Sequence, residues 1–212
     1  MLGATGLIGG LCLDELLKED RYGGVIALVR RPLGLSHDKL REVVVDFSRP
    51  ESYSGLRCDD VFSCLGTTTA RTPSRQDYRR VDFDIPLAVA RAALERGASR
   101  LLLVTSVGAD AKSSVFYTRL KGELEEAASA LPFEAVHIFR PSFLLGDRDE
   151  KRPAEKIFLK IIPFLDPLFL GPARVYRSIP AAVVAKAMVR AALEGAPGVA
   201  VHQYDAIRAL GL

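Results

Sequence analysis

The chain has 212 residues, 49% of them hydrophobic, with 29 Lys+Arg against 26 Asp+Glu. That length supports one sizeable core, so a single domain over 1–212 is expected, with a small appended lobe. A net charge of +3 with scattered arginines lacks the basic face of a nucleic-acid binder. The greasiest stretch, 157–171, is too short to span a bilayer and is interrupted by Lys160, Asp166 and two prolines.

Cys12, Cys58 and Cys64 show no metal-ligand spacing, and His37, His137 and His202 stand far apart. No metal site is expected. The cysteines read as reduced thiols in a reducing compartment, and a cytoplasmic location is expected.

The chain opens MLGATGLIGG, with Gly3, Gly6 and Gly9 three apart. LCLDELLKED (11–20) follows, and its apolar repeat at Leu13, Leu16 and Leu17 predicts a helix. VIALV (25–29) is short, branched and preceded by Gly23-Gly24, which predicts a strand. VVV (43–45) and DVFSCL (60–65) read the same way. PLAVARAALERG (86–97) predicts a helix that stops at a glycine. Then come a strand at LLLVTS (101–106), the longest helix at 116–131 and a strand at AVHIF (135–139). A helix over 181–195 and a strand at VAVHQ (199–203) close the series.

Short apolar runs alternating with helices imply right-handed crossovers and a doubly wound, mainly parallel α/β sheet. In strand order 3-2-1-4-5-6 the first strand is central. Only Met1 and Leu2 precede Gly3, spanning about 7 Å where a strand has ~5 residues. The expectation is that the natural chain starts upstream, with about four to six further apolar residues completing that strand.

Glycines at this spacing between strand and helix suit a dinucleotide site. Gly3 makes the tight turn, Gly6 lets the backbone approach a pyrophosphate, and Gly9 lets the helix pack close to the sheet. The second strand ends LVRRPL, with Arg30 and Arg31 and no acid. A guanidinium fork suits a 2′-phosphate, so NADP (NADPH) is expected over NAD.

GATGLIG (3–9), LVRRP (28–32), VTSVGAD (104–110), YTRLK (117–121) and RPSFLLG (140–146) resemble the atypical short-chain dehydrogenase/reductases, whose fold is the NAD(P)-binding Rossmann type. CLGTTTARTP (64–73) and SSVFYTRLKGELE (113–125) are similar to the group around the Tat-interacting protein oxidoreductase. Tyr117 and Lys121 are four apart on one predicted helix and share a face. A neighbouring ammonium favours phenolate, so the pair can pass a proton to or from a carbonyl or alcohol oxygen. The resemblance implies that Lys121 also reaches the nicotinamide ribose, and that Ser106 is the catalytic serine. Thr105 and Ser113 remain rivals for that role. Asp82 departs from the asparagine common in related extended enzymes and is not counted as catalytic.

The resemblance further implies cofactor contacts from Gly3, Thr5, Gly6, Leu7 and Ile8. Asp46 and Phe47 would flank the adenine. Cys64, Leu65, Gly66 and Thr67 would pass the ribose and diphosphate, and Pro141, Ser142 and Phe143 would meet the nicotinamide end. Residues 144–180 would form a small C-terminal lobe for a substrate or partner. The expected function is hydride transfer to or from a small apolar carbonyl-type substrate, with Tyr117 as acid/base. The alternative is an NADP(H)-sensing regulator that binds a protein partner without turnover.

Overall fold

The computed structural model describes residues 1–68, 72, 74–146, 166–194 and 196–212. In chain order the helices are α1 (Leu7–Lys18), α2 (Arg75–Arg79), α3 (Ile85–Leu94), α4 (Phe116–Ser129), α5 (Ala181–Glu194) and α6 (Tyr204–Gly211). The strands are β1 (Val25–Val29), β2 (Leu40–Val44), β3 (Asp60–Ser63), β4 (Arg100–Val104), β5 (Ala135–Phe139), β6 (Leu144–Leu145), β7 (Ile179–Pro180) and β8 (Gly198–His202).

β1 pairs with β2, and β3, β4, β5 and β8 pair in that order, all parallel. Leu2 joins the two groups by bridging Leu28 on one side and Ser63 on the other. Its N–H donates to the Phe62 carbonyl at 2.8 Å, and its carbonyl accepts from the Cys64 N–H at 3.1 Å. The order is therefore β2-β1-Leu2-β3-β4-β5-β8, with the first segment central as expected. Beyond Leu2, towards the N-terminal ends of β1 and β3, lies a cavity of about 380 Å³ lined by Val25, Ile26, Asp60 and Val61 among others.

Both faces of the sheet are covered, which is why the strands read as continuous apolar runs. Leu102 of β4 and Phe139 of β5 join Ile8, Leu13, Leu16 and Met188 on the face covered by α1 and α5. Leu101, Leu103, Val136 and Ile138 point the other way and meet Leu87 and Leu124 of α3 and α4. The period of two along each strand makes this division.

β2 begins three residues before the expected 43–45, because Arg41 and Glu42 lie in an edge strand that tolerates polar side chains. The small C-terminal lobe is present: β6 pairs with β7, and short 3₁₀ turns occupy Asp166–Leu168 and Gly171–Tyr176. Of the apolar stretch 157–171, residues 157–165 lie outside the described residues, while Leu168 and Leu170 are exposed. Among the described residues no helix is long and apolar enough to cross a membrane, and no cluster of metal-ligating side chains occurs.

Candidate active site

A parallel sheet sends all its C-terminal ends to one edge, and the candidate residues gather there. Gly3 turns the chain with φ +80°, a conformation in which a β-carbon is strained. A Cβ there would stand 2.5 Å from the Cys64 carbonyl oxygen, so the glycine loop lies directly against the end of β3. A Cβ on Gly9 would come within 1.9 Å of the Gly3 carbonyl oxygen, so α1 packs onto the same loop. Gly6 caps α1 with no side-chain hydrogen bond. The first amides of α1 thus keep their N–H groups for an anion, which fits a diphosphate. Thr5 and Gly6 are exposed on this loop, Leu7 is half-buried, and Ile8 is buried in the core. A Cβ on Gly146 would meet Leu7 Cδ1 at 3.1 Å, so the start of the C-terminal lobe reaches this helix end.

Arg30 and Arg31 are both exposed just after β1. Asp46 is exposed, and its Oδ1 accepts from the Ser48 N–H at 2.9 Å and the Ser48 hydroxyl at 2.6 Å. Those bonds from Ser48 hold its carboxyl below the usual value. Phe47 is half-buried with its ring 6.1 Å from that of Tyr53. Cys64 and Leu65 are half-buried and Gly66 is exposed. Thr67 is held from both sides: its N–H donates to Asp82 Oδ1 at 2.7 Å, and its carbonyl accepts from the Tyr78 hydroxyl at 3.0 Å.

Three hydroxyls compete for the serine role, and their partners differ. Thr105 Oγ1 donates to Glu125 Oε1 at 2.5 Å, inside a buried group in which Arg140 Nε also reaches Glu125 Oε1 at 3.0 Å. Ser113 Oγ accepts from the Val115 N–H at 3.1 Å and the Thr118 hydroxyl at 2.7 Å. Ser106 Oγ is buried with no partner among the described residues. A buried hydroxyl without a partner costs about 1–3 kcal/mol, so a ligand atom that bonds it relieves that cost.

Tyr117 and Lys121 occupy the first turns of α4, in different surroundings. Tyr117 is 39% exposed, with its ring 6.4 Å from that of Tyr78 and edge-on to it. Lys121 is buried, and its Nζ lies 2.8 Å from Asp82 Oδ2. Burial raises the Tyr78 phenol well above its usual value, with smaller contributions from Asp82 and Tyr117. Pro141 is buried, Ser142 donates its hydroxyl to the Arg177 carbonyl, and Phe143 accepts the Ile179 N–H on its carbonyl at 2.9 Å. These bonds tie the end of β5 to the C-terminal lobe.

Asp82 is the residue that sequence reasoning set aside. Its neighbourhood calls for a carboxylate, because both oxygens face positive or donating groups. The available signal was the acid standing where related enzymes carry an amide.

Residues 3–135 match the family model described as NAD(P)H-binding. The chain belongs to this family. It is 38% identical over 152 residues to the mitochondrial protein FMP52 of Eremothecium gossypii, an alignment covering 70% of this chain and 67% of that one. It is 37% identical over 160 residues to HTATIP2 of Rattus norvegicus, covering 73% and 66%. The expected relation to the Tat-interacting protein group, an atypical short-chain dehydrogenase/reductase lineage, therefore holds. The fold is shared with MoeE5 in complex with UDP-glucose and NAD, at a TM-score of 0.67 and 20% identity, over 94% of this chain and 73% of that one.

Two expectations are corrected. NADP over NAD does not stand, since MoeE5, solved with this same fold, holds NAD. The physical reason is that Arg30 and Arg31 are exposed, and nothing among the described residues orients their guanidinium groups into a fork. The cytoplasmic location does not stand either, because FMP52 is named as a mitochondrial protein. Reduced cysteines report a reducing compartment and do not distinguish one such compartment from another.

Proposed function

We propose that the protein is an oxidoreductase that binds a nicotinamide dinucleotide and acts on a small, apolar carbonyl-type substrate. The observation that carries this reading is the Ser106 hydroxyl, buried and unpartnered at the end of β4. It lies on the same edge of the sheet as the glycine loop, one loop before the helix that bears Tyr117 and Lys121. The bound dinucleotide supplies or takes the hydride. Ser106 holds the substrate oxygen, and the accessible Tyr117 phenol gives that oxygen its proton or removes it. Lys121 lies one helical turn further along the same helix and bonds the nicotinamide ribose. The uncapped start of α1, with Gly3, Thr5, Gly6, Leu7 and Ile8, receives the diphosphate. Asp46 and Phe47 flank the adenine, Cys64 to Thr67 line the ribose and diphosphate, and Pro141 to Phe143 meet the nicotinamide end.

The test has two arms. NADH and NADPH are each titrated against the protein by fluorescence, and turnover is followed on a panel of apolar aldehydes and ketones. Tyr117→Phe is expected to abolish turnover and leave dinucleotide affinity within about twofold, because only the acid is removed. Full activity in that variant moves the chemistry elsewhere. Tight binding with no turnover in the parent protein favours a dinucleotide-sensing regulator instead.

A further inference from the structure

Glu125 lies on α4 one turn beyond Lys121 and two turns beyond Tyr117, on the stripe that a spacing of four makes. Its neighbours Leu120, Leu124 and Ala128 are buried and apolar. Glu125 is itself only 5% exposed, so a carboxylate stands where the packing calls for hydrocarbon. Both of its oxygens are engaged. Thr105 donates its hydroxyl to Oε1 at 2.5 Å. Arg140 donates from Nε to Oε1 at 3.0 Å and from a terminal nitrogen to Oε2.

These two donors sit at the ends of neighbouring strands. Thr105 follows Leu101 and Leu103 in the period of two and so faces α4, while Arg140 follows β5 directly. Pairing continues past both strand ends. The Thr105 N–H donates to the Phe139 carbonyl at 2.8 Å, and the Val107 N–H donates to the Pro141 carbonyl at 2.9 Å. Ser106 lies between those two bonds, with its hydroxyl buried and unpartnered among the described residues. The Arg140 N–H donates in turn to the His202 carbonyl at 2.9 Å. Burying opposite charges gains little net stability, because desolvation offsets most of their attraction. What hydrogen bonds add is direction: they fix a register that apolar packing alone lets slide.

We propose that Glu125 is a positioning residue, which sets the register of α4 against the ends of β4 and β5 through Thr105 and Arg140. Three parts of the cleft hang on that register. They are Ser106, next to Thr105; Tyr117 and Lys121, on the same stripe of α4; and Pro141 to Phe143, next to Arg140. The inference rests on the dinucleotide reading above, which puts all three at the nicotinamide end. A division of labour between adjacent hydroxyls follows. Glu125 occupies the Thr105 hydroxyl and leaves that of Ser106 for a ligand. Removing the Thr105 hydroxyl therefore loosens the nicotinamide end and leaves the glycine loop, at the other side of the cleft, where it is.

The experiment compares the parent with Thr105→Val, Thr105→Ser and Glu125→Gln, each by calorimetric titration with NADH, with NADPH and with ADP. ADP has the adenosine and diphosphate but no nicotinamide ribose. Valine keeps the branched shape and leaves Glu125 paired with Arg140, so no charge is stranded, while serine keeps the hydroxyl. Thr105→Val is expected to weaken dinucleotide binding about fivefold and to leave ADP affinity within about twofold, since it removes a hydrogen bond to a charged group. Thr105→Ser retains that bond and should bind all three ligands within about twofold of the parent. Glu125→Gln releases Arg140 and should repeat the selective loss. It carries the comparison if Thr105→Val does not fold, because the Arg140 side chain is 23% exposed and its charge stays within reach of water. Equal weakening of dinucleotide and ADP assigns Glu125 a merely structural role and overturns the proposal. So does unchanged dinucleotide affinity in Thr105→Val, or a loss in Thr105→Ser as large as that in Thr105→Val. A parent that binds neither dinucleotide overturns the oxidoreductase reading and the proposal with it, and that outcome is read from the parent alone.

Discussion

Gly122 and Ala111 meet backbone to backbone. A Cβ on Gly122 would stand 2.1 Å from the Ala111 amide nitrogen and 2.3 Å from the Asp110 carbonyl carbon. The Asp110 N–H also donates to the Thr118 carbonyl at 3.0 Å. These contacts press α4 onto the loop that follows Ser106 and fix the distance between the serine strand and the tyrosine helix. No side chain fits there without moving one or the other. Gly122→Ala is expected to destabilise the fold by about 1–3 kcal/mol through overpacking. A urea unfolding curve reads this directly, and an unchanged midpoint would show that the helix can shift freely.

Gly9 makes a comparable contact at the other side of the cleft, 1.9 Å from the Gly3 carbonyl oxygen once a Cβ is added. Gly9→Ala should displace the glycine loop and with it the amides at the start of α1 that face the diphosphate. Gly10→Ala is the control, since its Cβ would meet the Ala4 carbonyl oxygen at 3.4 Å, an ordinary contact. Dinucleotide affinity is expected to collapse in the first variant and to persist in the second. Equal affinities in the two variants would remove the packing argument for Gly9.

Glu125 joins three elements: its carboxylate takes the Thr105 hydroxyl and pairs with Arg140 at the end of β5. Removing one partner of a buried pair strands the other charge, so Glu125→Ala should cost about 3 kcal/mol. Glu125→Gln retains an acceptor for Thr105 and should cost visibly less. Thermal melts of the two variants, compared with the parent, rank them. A Glu125→Gln melt as low as that of Glu125→Ala would assign the whole cost to the lost charge rather than to the shape and acceptor that glutamine keeps.

His137 and His202 face each other across β5 and β8, with Nδ1 and Nε2 at 3.0 Å. Burial lowers the His202 imidazole to about 4, with a smaller contribution from His137, and burial lowers His137 as well. The His202 ring is therefore neutral in the folded protein at pH 6, whereas the unfolded chain takes up a proton there below about pH 6.5. Stability contributed by His202 is present above that pH and is lost as pH falls towards 4. The melting temperature should drop across that interval, and His202→Asn should flatten the slope. An identical slope in that variant would assign the acid sensitivity to other groups.

The strands β1 and β5 were legible to the residue, because a parallel sheet buried on both faces writes itself as uninterrupted branched and apolar runs. α1, α3, α4 and α5 were expected from their period, though α1 begins at Leu7, four residues before the expected 11–20, and α3 ends at Leu94, before the expected 97. By contrast α2, the π-helical turn at Arg80–Asp84 and α6 are too short or too irregular to announce themselves. The glycines of MLGATGLIGG and the Tyr117–Lys121 spacing pointed to a dinucleotide fold, because such sites constrain backbone shape and helical phase, and both are local in sequence.

What the sequence determined by itself was the order of strands and helices and the family of the cleft. Only the tertiary structure decided which groups stand opposite one another. It spent Thr105 on Glu125, left Ser106 Oγ without a partner, and turned Asp82 inward onto Lys121. It also left Arg30 and Arg31 exposed after β1. A side chain's chemistry depends on its burial and on partners dozens of residues away, and neither is written in the spacing of nearby residues.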